Sequence, residues 1–270
     1  MRTVKLPARN LSVAYEDRGT GPVVVLLHAF PMCRWMWQPQ IDALEGEYRV
    51  LTPDLPGFGS TPPVPGVSVD VMADVVAEFL TAAGVPGPVV LGGLSMGGYV
   101  AFAFARRYPD RLRGLILADT KPEPDDDAAR QTRNKILAGL TDGSLPAPGV
   151  VEQMLPKLLG DRTRADRPAV VAEVRRIGAA QPKDGIMAAV AALRDRPDAG
   201  PGLGNIRVPT LVVVGEQDAA TPPDGAKRAA DRIPGSRLVV IPGAGHLSNL
   251  EDPAAFTAAL REFLSGVAAG

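Results

Sequence analysis

The chain has 270 residues, 29 basic against 30 acidic side chains, a formal net charge of −1 and 46% apolar residues. That size and balance fit one α/β domain carrying an insertion, and the lack of any block of like charge excludes the electrostatic footprint that nucleic acid or an anionic membrane surface requires. Cys33 is the single cysteine, which excludes an internal disulfide and a cysteine-based metal cluster.

Met1 to Asn10 is charged and broken by Pro7. It lacks the apolar run of about 7–15 residues that a secretory signal needs, so a cytoplasmic location is expected. Thr3 to Leu6 and Leu11 to Glu16 read as a pair of short antiparallel strands, Val23 to Leu27 as a buried strand, and Tyr48 to Thr52 as another. Asp70 to Ala83 places Val71, Val75, Val76, Phe79 and Leu80 at amphipathic helical spacing, with Gly84 as its stop. The uncharged run Gly84 to Ala105 is long enough to be tested as a membrane span, but Pro86, Pro88, Gly92, Gly93, Gly97 and Gly98 interrupt it. Its pattern changes from the continuous run Val89–Val90–Leu91 to a helical one after Ser95, which predicts strand, turn and helix.

Leu112 to Ala118, Thr210 to Val214 and Arg237 to Ile241 complete the predicted strands, and their alternation with helices implies a mostly parallel sheet covered on both faces. Between Lys121 and Arg207 strand signals vanish. Four helices are predicted there, Asp126 to Leu140, Val150 to Leu159, Pro168 to Ala179 and Gly185 to Asp195, with Pro197 to Asn205 as the return linker. The expected organisation is therefore a core of residues 1–120 and 208–270 with a helical insertion, 121–207, acting as a lid.

The chemistry centres on Gly93-Leu94-Ser95-Met96-Gly97, a G-x-S-x-G directly between a buried strand and a helix. So tight a turn strains the serine backbone and holds its hydroxyl exposed, while glycines on either side let neighbouring chain pass without a Cβ clash. The Met96 N–H then lies at a helix N-terminus, where partial positive charge favours a developing oxyanion. A serine hydroxyl needs an adjacent base. Of the two histidines, His246 follows the last predicted strand on a glycine-rich loop, whereas His28 ends an earlier strand and is read as fixing the loop after it. A histidine base needs a carboxylate to hold its tautomer. Asp218, on the loop after Thr210 to Val214 and 28 residues before His246, is the choice; Asp119, which also ends a strand, is its competitor.

The order Ser95, Asp218, His246 resembles that of the α/β-hydrolase superfamily, over nearly the whole chain. His28-Ala29-Phe30-Pro31 resembles the segment that supplies the second oxyanion-hole N–H there, which would be that of Phe30, with Ala29 where glycine is usual. Asp54-Leu55-Pro56-Gly57-Phe58-Gly59-Ser60 resembles the structural loop after the fourth strand. The resemblance implies an eight-stranded, mostly parallel sheet with a helical cap after the sixth strand, a Ser95–His246–Asp218 triad, an oxyanion hole of Phe30 and Met96, and no cofactor or metal. Haloalkane dehalogenases and epoxide hydrolases use a carboxylate nucleophile where Ser95 stands, and proline iminopeptidases carry a different oxyanion segment.

Gly-Leu-Ser-Met-Gly-Gly with Phe30-Pro31 is similar to small bacterial esterases, perhydrolases of the non-haem haloperoxidase group and 3-oxoadipate enol-lactonase-like enzymes. Hydrolysis of small carboxylic esters or lactones is the activity this implies. Perhydrolysis, C–C bond hydrolysis and non-catalytic ligand reception are the alternatives on one scaffold. Trp35, Met154 and Met187 are the candidate substrate contacts, while Trp37 is read as core and Cys33 as inert.

Overall fold

Short apolar runs alternating with amphipathic stretches become, in the computed structural model, which describes residues 1–269, one eight-stranded sheet among those residues. Its strands are β1 (Arg2–Leu6), β2 (Leu11–Arg18), β3 (Val23–Leu27), β4 (Arg49–Pro53), β5 (Val89–Leu94), β6 (Leu112–Ala118), β7 (Thr210–Gly215) and β8 (Arg237–Ile241). The spatial order is β1-β2-β4-β3-β5-β6-β7-β8. β1 and β2 pair antiparallel, as does β2 with β4, whereas β4, β3, β5, β6, β7 and β8 run parallel to one another. A parallel sheet is buried on both faces, and the central strands accordingly read as continuous apolar runs rather than alternating ones.

The helices α1 (Gln38–Leu44), α2 (Val69–Ala82), α3 (Met96–Arg107), α9 (Pro223–Arg232) and α11 (Pro253–Ala269) belong to the sheet layers, with a single turn, α10 (Ser248–Glu251), ahead of the last. α2 begins where the Ser68 hydroxyl accepts from the Val71 N–H at 3.2 Å, a cap worth about 1 kcal/mol. It buries Met72, Val75, Val76, Phe79 and Leu80, and the Phe79 ring meets Tyr15 of β2 edge-on at 5.0 Å.

The segment between β6 and β7 holds no strand among the described residues, but it has five α-helices where four are predicted: α4 (Asp127–Asp142), α5 (Ala147–Leu158), α6 (Asp161–Asp166), α7 (Pro168–Ala179) and α8 (Lys183–Arg194). The one not foreseen, α6, is the six-residue Asp-Arg-Thr-Arg-Ala-Asp, with no apolar stripe to mark it. α5 also starts three residues earlier than expected, because Pro148 in its first turn gives up no hydrogen bond there. The return linker contains a 3₁₀ turn, Gly200–Asn205.

This segment packs on loops that follow the parallel strands. The Gly59 N–H, after β4, donates to Gln181 Oε1 at 2.8 Å; the Asp161 N–H donates to Gln217 Oε1, after β7, at 2.9 Å; and the Leu247 N–H, after β8, donates to the Leu158 carbonyl at 3.0 Å. None of the described helices is long and apolar enough to cross a membrane.

Candidate active site

Because β3, β5, β6, β7 and β8 are parallel, the residues that follow them emerge at one sheet edge: His28, Ser95, Asp119, Asp218 and His246. Carboxyl edges of such sheets are where side chains from sequence-distant loops converge.

Ser95 stands between β5 and α3 with φ 55° and ψ −112°, a conformation that L-residues seldom adopt, and its N–H donates to the Ala118 carbonyl at 2.9 Å. The crowding explains the glycines. A Cβ at Gly93 would stand 2.1 Å from the Gly97 carbonyl oxygen, and one at Gly97 would stand 2.2 Å from that of Leu27. Backbone strain kept in place by such packing is characteristic of functional turns. The Ser95 side chain is only partly buried between fully buried neighbours.

His246 and Asp218 are bonded to each other, Nδ1 to Oδ2 at 2.8 Å, and both are buried. A carboxylate can only accept, so Nδ1 carries the proton and Nε2 keeps a free lone pair. Asp218 is held in turn: its Oδ1 accepts from the N–H groups of Ala220 and Thr221, each at 2.8 Å, and its Oδ2 from the Thr221 hydroxyl at 2.7 Å. That hydroxyl is also 3.2 Å from His246 Nδ1. Burial of the ring works against the imidazolium, but the Asp218 charge and hydrogen bond, with Asp119 and Glu251 beyond, outweigh it and hold the His246 pKa above the ordinary 6.5. The structure thus joins two members of the predicted triad and sets Ser95 at the same edge. Among the described residues the Ser95 hydroxyl makes no hydrogen bond to the imidazole.

Asp119 does not hold the imidazole. Fully buried, with φ 44°, it accepts from the Gly215 N–H at 2.8 Å and from the Ser248 hydroxyl, and so ties β6 to β7 and to α10. Burial and the nearby Asp218 charge push its carboxyl well above the ordinary value. His28 is also fully committed. The Leu55 N–H donates to its Nε2 at 2.9 Å, leaving Nδ1 to donate to the Ala29 carbonyl at 2.9 Å, and burial pushes its pKa down. It joins the end of β3 to the loop after β4, as its place in the sequence implies.

Phe30 precedes Pro31 across a cis peptide bond and is buried, with Phe58 edge-on at 6.1 Å. Met96 is the first residue of α3, so its N–H has no intrahelical acceptor. Among the described residues neither amide donates to a protein acceptor. Trp35 is 39% exposed, with the Arg34 guanidinium 4.6 Å over its ring, while Trp37 is buried. Met154 and Met187 are half-buried against the core. Cys33 is buried and its thiol is pushed up to about 11 by that burial, as an inert residue would be. Among the described residues no cluster of three His, Cys, Asp or Glu side chains is arranged to hold a metal ion.

Three groups escaped sequence reasoning. Thr221 closes an Asx-type turn that Asp218 opens, its N–H and hydroxyl both donating to the Asp218 carboxylate, and an aspartate followed three residues later by threonine is the local signal for it. The Asp119–Ser248 bond, spanning 129 residues, and the contacts of Glu251 with Gly160 and Gly245 have no local signature.

A mostly parallel eight-stranded sheet with a strained serine turn after its central strand defines the α/β-hydrolase fold class. The family model described as Alpha/beta hydrolase family matches residues 24–260, and the chain belongs to that family. It is similar to a thermophilic esterase from Thermogutta terrifontis, at 42% identity and TM-score 0.92 over 98% of both chains. It is similar as well to the enol-lactonase from Burkholderia xenovorans LB400, at 26% identity and TM-score 0.87 over 94% of this chain and 97% of that one. A pimeloyl-[acyl-carrier protein] methyl ester esterase of Neisseria meningitidis is 30% identical over 265 residues, covering 90% of this chain and 77% of the relative.

Proposed function

We propose that the protein hydrolyses small carboxylic esters or lactones through a Ser95–His246–Asp218 triad and an acyl-enzyme intermediate. The observation that carries this reading is the buried Asp218–His246 hydrogen bond at 2.8 Å, which leaves Nε2 free as a base at the edge where the strained Ser95 turn emerges. The names of the esterase and enol-lactonase relatives support the bond type.

In this mechanism His246 Nε2 takes the Ser95 proton as Oγ attacks the carbonyl carbon. The two unpaired N–H groups, of Phe30 and Met96, receive the charge that develops on the carbonyl oxygen, an effect worth about 3–4 kcal/mol per donor. Collapse expels the alcohol with the proton from His246, leaving an ester on Oγ. Water, deprotonated by the same imidazole, then releases the acid. Asp218 accepts from Nδ1 throughout and stabilises the imidazolium. For a lactone, alcohol and acid remain one molecule. Residues 121–207 serve as the cap over this site, with Met154, Met187 and Trp35 contacting the apolar part of the substrate.

A panel of p-nitrophenyl esters of graded acyl length, together with lactones, tests this reading. The expected result is saturable turnover whose kcat/KM falls on the acid side as His246 gains its proton. The sign follows from the pKa. The base works when neutral, Asp218 raises its pKa, and so the acid limb lies above 6.5, the ordinary histidine value. No turnover on any ester or lactone, or an acid limb in the carboxylate range, would contradict it.

A further inference from the structure

Three hydrogen bonds tie the helical segment to residues near the proposed base in the chain. The carboxylate of Glu251 is buried and bridges two backbone amides: Oε1 accepts from the Gly245 N–H and Oε2 from the Gly160 N–H, each at 2.8 Å. Gly245 immediately precedes His246. Immediately after it, the Leu247 N–H donates to the Leu158 carbonyl at 3.0 Å. Three residues after Leu158, the Asp161 N–H donates at 2.9 Å to the side chain of Gln217, the neighbour of Asp218.

The join is close-packed, since a Cβ at Gly245 would stand 2.4 Å from the Gly160 nitrogen. Glu251 is itself anchored, its N–H donating to the Leu247 carbonyl at 3.0 Å and its carbonyl accepting from the Arg167 guanidinium. The carboxylate therefore stands between two glycine amides 85 residues apart in the chain, both donors, where an anion is the complementary group.

Resting on the triad reading above, we infer that Glu251 is a positioning residue for His246: it clamps the histidine loop to the 158–161 strip of the helical segment, so that the seating of that segment and the placement of the base are one event. Glu251 touches no reacting atom. Its effect passes through the Gly245 amide to the imidazole next door, and a base displaced by about 1 Å loses on the order of 10² in rate. Because the base acts in the transition state and not in substrate binding, the loss falls on kcat rather than KM.

The test compares kcat and KM for a p-nitrophenyl ester among the unmodified protein, Glu251→Ala, Glu251→Gln and Ser95→Ala, with the melting temperature of each. Glu251→Ala is expected to lower kcat about 100-fold with KM within threefold. Glu251→Gln keeps one acceptor oxygen but sets an NH₂ against the other amide, so a loss of about 10-fold is expected, and this variant decides the matter if the alanine protein does not fold. A folded Glu251→Gln whose kcat stays within twofold, or one in which KM rises while kcat holds, would overturn the inference and reduce the clamp to a structural tie. Turnover that survives in Ser95→Ala would instead remove the triad itself, so the two failures are distinguishable.

Discussion

Ser95→Ala is expected to lower ester turnover by about 10⁴–10⁶, and His246→Ala to do comparable damage, because a nucleophile and its base act as one unit whose losses do not add. At about 1.4 kcal/mol per tenfold this is roughly 5–8 kcal/mol of transition-state stabilisation. The residue left in place cannot compensate. Without Oγ no acyl-enzyme forms, and without the imidazole the hydroxyl at the strained turn keeps its proton near neutral pH. The two unpaired amides of Phe30 and Met96 remain in both variants, so a residual rate above the uncatalysed one is expected. The double variant should fall little below either single one, and measuring kcat for all three checks the point. A double variant whose loss equals the product of the two single losses would mean that the residues work independently.

Asp218→Asn is expected to cost about 10⁴ in kcat, and Asp119→Asn no more than about tenfold. The contrast comes from what each oxygen touches. Asp218 Oδ2 accepts from His246 Nδ1, so an amide NH₂ turned toward that nitrogen would move the ring proton to Nε2 and remove the lone pair that a base needs there. The Oδ1 side cannot relieve this, because two backbone amides demand an acceptor there. Asp119 instead accepts from the Gly215 N–H and meets the Ser248 hydroxyl. An asparagine oxygen can keep the first bond, and its NH₂ can donate to the hydroxyl, which accepts as readily as it donates. The reverse order of effects would exchange the roles of the two aspartates.

Much of this arrangement is legible in the chain because it is written locally. The change of apolar period around Ser95, the glycines at 93 and 97 and the continuous runs Val89–Leu91 and Leu211–Val214 are properties of a few adjacent residues. They place the serine, and the position of Asp218 and His246 after the last two parallel strands follows from sheet direction alone. Sheet direction brings Asp119 to the same edge, which is why sequence leaves it as a competitor. Only the hydrogen bonds of its two oxygens assign it elsewhere.

What stays illegible is either too short or too long in range. α6 has six residues and no apolar face, and α1 has seven with only Ile41 and Leu44 as large buried apolar residues. Glu251 lies 91 residues from Gly160, and no periodicity encodes that approach. The substrate contacts fare similarly. Helical spacing gives Met154 and Met187 an inward stripe, but how far each reaches toward Ser95 depends on the seating of the whole helical segment.

Labelling with a fluorophosphonate followed by mass mapping tests the central claim most directly, since the reagent reacts with a serine only where a base has activated it. A single adduct on Ser95, formed at least a thousandfold more slowly when His246 is alanine, is the predicted result. An adduct that forms on Ser95 at an undiminished rate without His246, or no adduct on Ser95 at all, would contradict the account.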